Sequence, residues 1–415
     1  MNTSLRTILR TVVLVAATVA IAAQVHAGDG RAHAMGGAYT AAARGLDAAT
    51  WNPASLAFSP GGGLGLAGAA LDLSNNSFTL ARYNEVSGAE LSQADKERLL
   101  ADIPEEGFRL DTTALGSGVG VHVGNLAITT RAVAAGRGNL DRDFFDLVLF
   151  GNELGETVDF ADTWGDGYAV AKAGLSWGQP IYEGALGRMA VGATASYLYG
   201  AYEMHVDEAY GSLTTSMSEI RGEAFVAATT AAEGRGLGLD LGATWLAPGG
   251  WSFGLALDNV LGSVSWTGDV ERHEMRVTAA DLNALNDDLD DAVADADTSY
   301  AVDGYSTNLP RRLRLGVAHD SGSLLLAADW VQGLEDRAGS SITPQINLGV
   351  EWRPLGFLAP RGGMMLGGAG GFGLAGGVGL DLWWLEIDLA VSHRGGFSGG
   401  DTRGLGFGLS TQLIF

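Results

Sequence analysis

The chain of 415 residues contains no cysteine. That excludes a disulfide framework, a thiolate metal site and a cysteine-anchored lipoprotein together. Beyond the first 27 residues no apolar run approaches the roughly 18 residues of a membrane-spanning helix, which excludes a helical membrane protein. Basic residues are scarce, 25 Lys and Arg against 48 Asp and Glu, so nucleic acid is excluded as a partner on charge. Proline is sparse, with nine residues, while glycine is abundant, with 63.

The first residues form the one long apolar stretch. Arg6 and Arg10 precede an apolar run from Thr11 to Ala23, and Val25-His26-Ala27 supplies the small residues of a cleavage site. This pattern predicts a secretory signal peptide over residues 1–27. Its removal takes two of the 25 basic residues and none of the 48 acidic ones, making the formal charge −25. Such charge keeps loops solvated and names no ligand.

From Leu237 onward the apolar residues alternate. Leu237, Leu239, Leu241, Ala243 and Trp245 share one face, and Gly238, Asp240, Gly242 and Thr244 the other. Period two is strand period. It recurs from Trp251 to Leu257, Leu313 to Val317, Ile346 to Trp352 and Leu385 to Val391, and it closes the chain from Leu405 to Phe415. The second face is small or charged, with Asp258, Arg312, Arg314, Glu351, Glu386 and Asp388. An apolar outer face and a polar inner one predict an all-β fold, a transmembrane antiparallel barrel.

Fourteen strands are expected, at about 64–83, 110–124, 126–136, 166–178, 188–207, 212–246, 251–262, 310–320, 322–334, 343–354, 359–369, 371–382, 383–393 and 403–415. The sixth is long enough to divide near Glu233-Gly234-Arg235-Gly236, which would change the count toward sixteen. With the C-terminus at the periplasm, residues 84–109, 137–165 and 263–309 become long extracellular loops. Gly124-Asn125, Ala247 to Gly250 and Asp320 to Gly322 become short turns. The barrel is thus expected over residues 61–415.

Residues 28–60 carry no strand pattern. Small residues dominate from Arg31 to Thr40, including Gly36 and Gly37, and Asn52-Pro53-Ala54 marks a turn. The segment is expected to fold inside the lumen as a hatch. The Met35-Gly36-Gly37-Ala38 stretch, Asn52-Pro53-Ala54 and the closing Phe415 resemble the FadL family of outer-membrane long-chain fatty-acid transporters. Hydrocarbon transporters and PorV-type secretion components are its relatives. The resemblance implies a fourteen-stranded barrel with an N-terminal hatch, passive diffusion of hydrophobic molecules and a lateral exit. Gly36, Gly37, Asn52, Pro53 and Ala54 are its hatch residues. The helical loop segments Leu91 to Ile103 and Asp143 to Gly151 look like those of a branch apart from the characterised transporters, so no substrate is carried over. Read without the family, Asn52 is an amide before proline that satisfies buried turn groups.

Several motifs look chemical. Gly63 to Gly68 and Gly371 to Gly376 match a dinucleotide fingerprint, but each opens a strand and not a helix. Gly396-Phe397-Ser398-Gly399-Gly400, near His393, matches a nucleophile elbow but sits in a hairpin. The acidic run from Asp287 to Asp297 lacks the glycine and terminal glutamate of a calcium loop. Leu282, Leu285, Leu289 and Val293 there recur at helical spacing, which predicts an amphipathic loop helix. No catalytic residue, metal site or cofactor is assigned, and the chain is read as not an enzyme. Phe144, Phe145, Leu147 and Phe150 crowd into an otherwise polar loop, either as a loop core or as a greasy landing site. The leading expectation is an outer-membrane channel for fatty acids, lipids or hydrocarbons. Its partners would be membrane lipid and a hydrophobic small molecule. The alternative is a non-transporting barrel, structural or a PorV-like partner of a secretion-machinery protein.

Overall fold

The computed structural model describes residues 30–152, 154–216, 220–282 and 293–415. The expected signal peptide, and Leu285 and Leu289 of the expected loop helix, lie outside the described residues. Fourteen antiparallel strands close into a barrel. They are β1 Gly62–Asn75, β2 Phe108–Val123, β3 Leu126–Leu140, β4 Trp164–Gly184, β5 Gly187–Thr215, β6 Ile220–Ala247 and β7 Trp251–Trp266. The second half comprises β8 Arg312–Asp320, β9 Leu324–Gly333, β10 Gln345–Trp352, β11 Leu358–Gly367, β12 Gly373–Leu382, β13 Leu385–Arg394 and β14 Gly404–Ile414. Each expected strand has its counterpart.

The seam is β14 on β1, with Leu71 opposite Phe407. Beyond it the Gly62 N–H donates to the Phe415 carbonyl at 2.8 Å and the Phe415 N–H donates back at 3.0 Å. Closure leaves the barrel wall without an edge. Alternation sets the facing as expected: Leu255 and Leu389 are exposed on the lipid side, while Ala256 and Ala390 are buried inside. Tyr197, Tyr199, Trp177, Trp245 and Phe253 point outward. Short turns join the strands at the end bearing Phe415, and long connections lie at the other, the loop end.

Two expectations change. The glycine-rich joint at 233–236 is no turn, and β6 runs through it unbroken. A Cβ at Gly200 or Gly234 would collide with the Trp266 ring, so these glycines are the seat of a fully buried tryptophan. Residues 212–215 instead finish β5. The second change is at 263–309. β7 continues to Trp266, Gly268–Leu282 pairs with the upper part of β6, and Val293–Ala301 and Tyr305–Asn308 follow. Strands here extend beyond the membrane in place of a loop. Phe225 lies opposite Arg276, Arg276 pairs with Glu223, and the Tyr300 hydroxyl donates to Glu274 at 2.7 Å. Backbone pairing and cross-strand polar contacts hold this blade. Residues 294–301 are exposed throughout, so no apolar alternation marks them as strand.

At the other two long connections the strands run further than expected, to Leu140 in β3 and from Phe108 in β2. Helices Leu80–Val86, Gln93–Ala101 and Arg142–Phe150 occupy what remains. The residues from 76 to 83, expected as strand, turn away where the Asn75 side chain accepts from the Ser77 and Phe78 amides.

Candidate functional site

Residues 30–58 lie within the barrel. A helical turn, Gly30–Ala34, leads to Gly36 and Gly37, whose φ of 63° and 82° demand glycine, and the chain reverses there. A 3-10 turn at Gly45–Asp47, a short helix Ala48–Trp51 and a 3-10 helix Pro53–Phe58 follow. Small side chains let this compact piece reach the wall. Ala38, Ala41 and Ala43 pack with Met35 and Tyr39 against Ala318, Leu325 and Ala327.

Asn52 is the main polar rivet. It is fully buried. Its Oδ1 accepts from the Ala54 N–H at 3.3 Å, and its Nδ2 donates to the Ala243 carbonyl and to Thr244 Oγ1, both at 3.0 Å. The turn-setting role expected of this amide is therefore joined to a second one, anchoring the hatch to β6. Pro53 and Ala54 sit so close to the wall that a Cβ at Gly192 would collide with both, and one at Gly242 with Asn52 Oδ1.

The inward charges also face the hatch. Asp329 accepts from the Tyr39 and Thr40 amides at 3.1 and 2.8 Å. Glu351 receives Arg31 at 2.8 and 2.9 Å, Arg353 at 2.7 Å and Arg361 at 2.5 Å, and Arg361 continues to Asp388. Arg314 pairs with Asp258 at 2.5 Å and lies 4.6 Å from the Trp51 ring centroid. Charges buried in this way must be paired. Sequence reasoning placed Asp258, Arg314, Asp329, Glu351 and Asp388 inside but missed Arg353, Arg361 and Arg31, the last a cation in a small-residue segment facing the acidic side chains of the wall.

Two spaces stand out, of which only the first adjoins the hatch. Above it, toward the loop end, is a chamber of about 310 Å³ with His33, Gly36, Gly37 and Trp51 on one side and Asp72, Thr113, Arg312 and Arg394 among the wall residues. The second is a groove of about 300 Å³ in the wall, at Gly118, Thr130, Ala132, Ala171, Ala173, Tyr197 and Tyr199, with Arg131 and Lys172 beneath. β2 is irregular there. Its pairing with β1 passes from Gly120 to Ser117, and its pairing with β3 does the same, so Gly118 and Val119 join neither ladder.

The phenylalanine-rich loop is the helix Arg142–Phe150, capped by Asp141 and packed near Gln93–Ala101. Phe145 sits 5.6 Å from both Phe108 and Phe144 and 6.4 Å from Phe78 by ring centroids, so it is loop core. Lys96 donates to the Leu149 carbonyl at 2.5 Å beside the Phe150 ring. Leu147 is half-buried and Val148 exposed. These residues and the hatch do not meet. Ser398 is exposed in its hairpin, and among the described residues no group of three metal-ligating side chains assembles.

The model of a family of unknown function, DUF5723, matches residues 53–232 and 221–359. The chain belongs to that family. No curated protein matches this DUF5723 member. Among solved structures it resembles the toluene transporter TbuX of Ralstonia pickettii, with 15% identity, TM-score 0.53, and 94% and 99% of the two chains covered. It resembles the CymD monoaromatic hydrocarbon channel at 13% identity and TM-score 0.52 over 92% and 96%. A FadL homologue of Pseudomonas aeruginosa aligns at 13% and 0.50 over 94% and 99%. The DUF5723 chain thus shares the FadL-type barrel, a likeness of fold.

Proposed function

We propose that this protein is an outer-membrane channel for passive uptake of small hydrophobic molecules. The observation that carries the reading is the irregularity of β2 beside a small-residue groove in the lipid-facing wall. A hydrophobic solute stopped by the hatch needs a sideways way out, and a wall position where Gly118 and Val119 leave both ladders is where a barrel opens at least cost in hydrogen bonds. The names of similar structures, a toluene transporter and a monoaromatic hydrocarbon channel, support the same solute class. The loop end then faces the exterior, and Phe144 and Val148 offer a narrower landing surface than the whole cluster, because Phe145 is used in packing. Gly36, Gly37, Asn52, Pro53 and Ala54 set the hatch that bars the direct route.

The test uses purified protein in liposomes, with uptake of a labelled monoaromatic solute and of a fatty acid measured for wild type and Gly118→Leu. A side chain at Gly118 meets Thr130 Oγ1 and fills the groove. Uptake that falls in this variant supports the reading. Absent uptake in wild type, with a protein co-purifying in stoichiometric amount, replaces it with the non-transporting alternative. The polar residues of the chamber, Asp72, Arg312 and Arg394, favour that alternative over an apolar axial path.

A further inference from the structure

The connection from β9 to β10, Leu334 to Pro344, does not stand above the rim. It enters the lumen and reaches the inner face of β3 and β4, nearly half the circumference away. Asp336 pairs with Arg137 of β3 at 2.9 Å. The Ala338 N–H donates to the Asp166 carboxylate of β4 at 2.8 Å. Ala338 itself is fully buried in a cluster with Ala135 and Tyr168. Gly339 sits at φ 74° with its Cβ position 3.0 Å from the Ala135 methyl, and Arg312 of β8 donates to its carbonyl at 2.6 Å. Contacts to the neighbouring strands β3 and β4 and, distant from these, to β8 hold the tip, which is more than an exposed loop requires.

Gly339, Ser340, Ser341 and Thr343 then form part of the chamber wall above the hatch. We propose that Leu334–Pro344 is a constriction loop, which by crossing the lumen sets the largest solute cross-section that can enter the chamber from the loop end. It would be the size-selecting element of the pathway. The inference rests on reading the lumen as a pathway, but its test reads access and not transport.

The chain has no cysteine, so Thr113→Cys places a unique thiol on the β2 side of the chamber. The full-length variant in liposomes is treated from the loop side with a small charged methanethiosulfonate and with a bulky fluorescent one. The small reagent is expected to react at least tenfold faster. Ala338→Asp puts a carboxylate beside Asp166 in the apolar seat and should expel the tip, raising the bulky reagent's rate about tenfold. Asp336→Ala, which removes the pair with Arg137, should raise it less. Heat-modified gel mobility reports whether the barrel is folded. Equal rates for both reagents with the loop intact overturn the proposal, as does a folded Ala338→Asp protein with unchanged rates. If Ala338→Asp does not fold, an unchanged rate in Asp336→Ala overturns it. No reaction in any variant also overturns it, because something else then closes the chamber. Access that follows the loop while hydrophobic uptake is absent leaves the constriction standing and removes the transport reading.

Discussion

Replacing Asn52 by alanine should loosen the hatch while sparing the barrel. The substitution removes the Nδ2 bonds to the Ala243 carbonyl and Thr244 Oγ1 and the Oδ1 bond from the Ala54 N–H. Each is worth about 1 kcal/mol net, and a buried group left unpaired costs about 1–3 kcal/mol. Thr244 keeps the Ser55 hydroxyl at 2.9 Å as a partner, which softens the loss. The seated hatch should therefore lose about 2–4 kcal/mol of stability. At tenfold per 1.4 kcal/mol, the unseated fraction rises roughly 30- to 700-fold. Hydrogen exchange followed by mass spectrometry in mild detergent reads this directly. Peptides from 45–60 should exchange faster, those from β8 to β14 should not, and liposomes should leak small polar solutes. Gly192→Ala should produce a larger change, because its Cβ meets hatch backbone that no rotamer can move. Unchanged exchange in 45–60 would refute the rivet, and equal loss across barrel peptides would show that the hatch is no separate unit.

Arg at Leu255 or Leu389 should cost about 2–4 kcal/mol near the bilayer midplane, read by urea unfolding in vesicles. Ala256 and Ala390 are no mild inward controls, since both are buried inside, so Thr113→Arg, facing the chamber, serves. Equal sensitivity of lipid and chamber faces would contradict the facing. Phe145→Ala should open both helical loops to protease, whereas Phe144→Ser with Val148→Ser should lower hydrophobic capture and leave the loops resistant. Identical protease patterns would refute this division. In the blade outside the membrane, the hydrogen bond to Glu203, aided by Asp207, raises the His205 pKa; Tyr305 and Arg272 are the other groups gathered there. Because the folded pKa is raised, this contribution is complete below the unfolded value of about 6.5 and is lost as pH rises through the folded value. His205→Gln should therefore destabilise the blade at pH 5.5 and converge with wild type above neutrality, measured by blade-peptide exchange. A difference that grows with pH would refute it.

The fourteen strands and their facing were readable from residue order, because a strand's two faces alternate locally and the membrane requires one of them to be apolar. Turn chemistry at Asn52-Pro53 was local as well. The blade was not readable: residues 294–301 meet water on both sides, so backbone pairing and cross-strand polar contacts make them strand, and no alternation records that. The glycine run at 233–236 reads as a turn until Trp266 is known to lie over it. Arg31 finds Glu351, and Asp336 finds Arg137, across sequence distances that no spacing rule spans. The sequence by itself determined a closed barrel with something small inside it. Tertiary structure decided which inward glycines seat the hatch, which charges clamp it and which loop turns inward. Those depend on partners brought together only when the barrel closes.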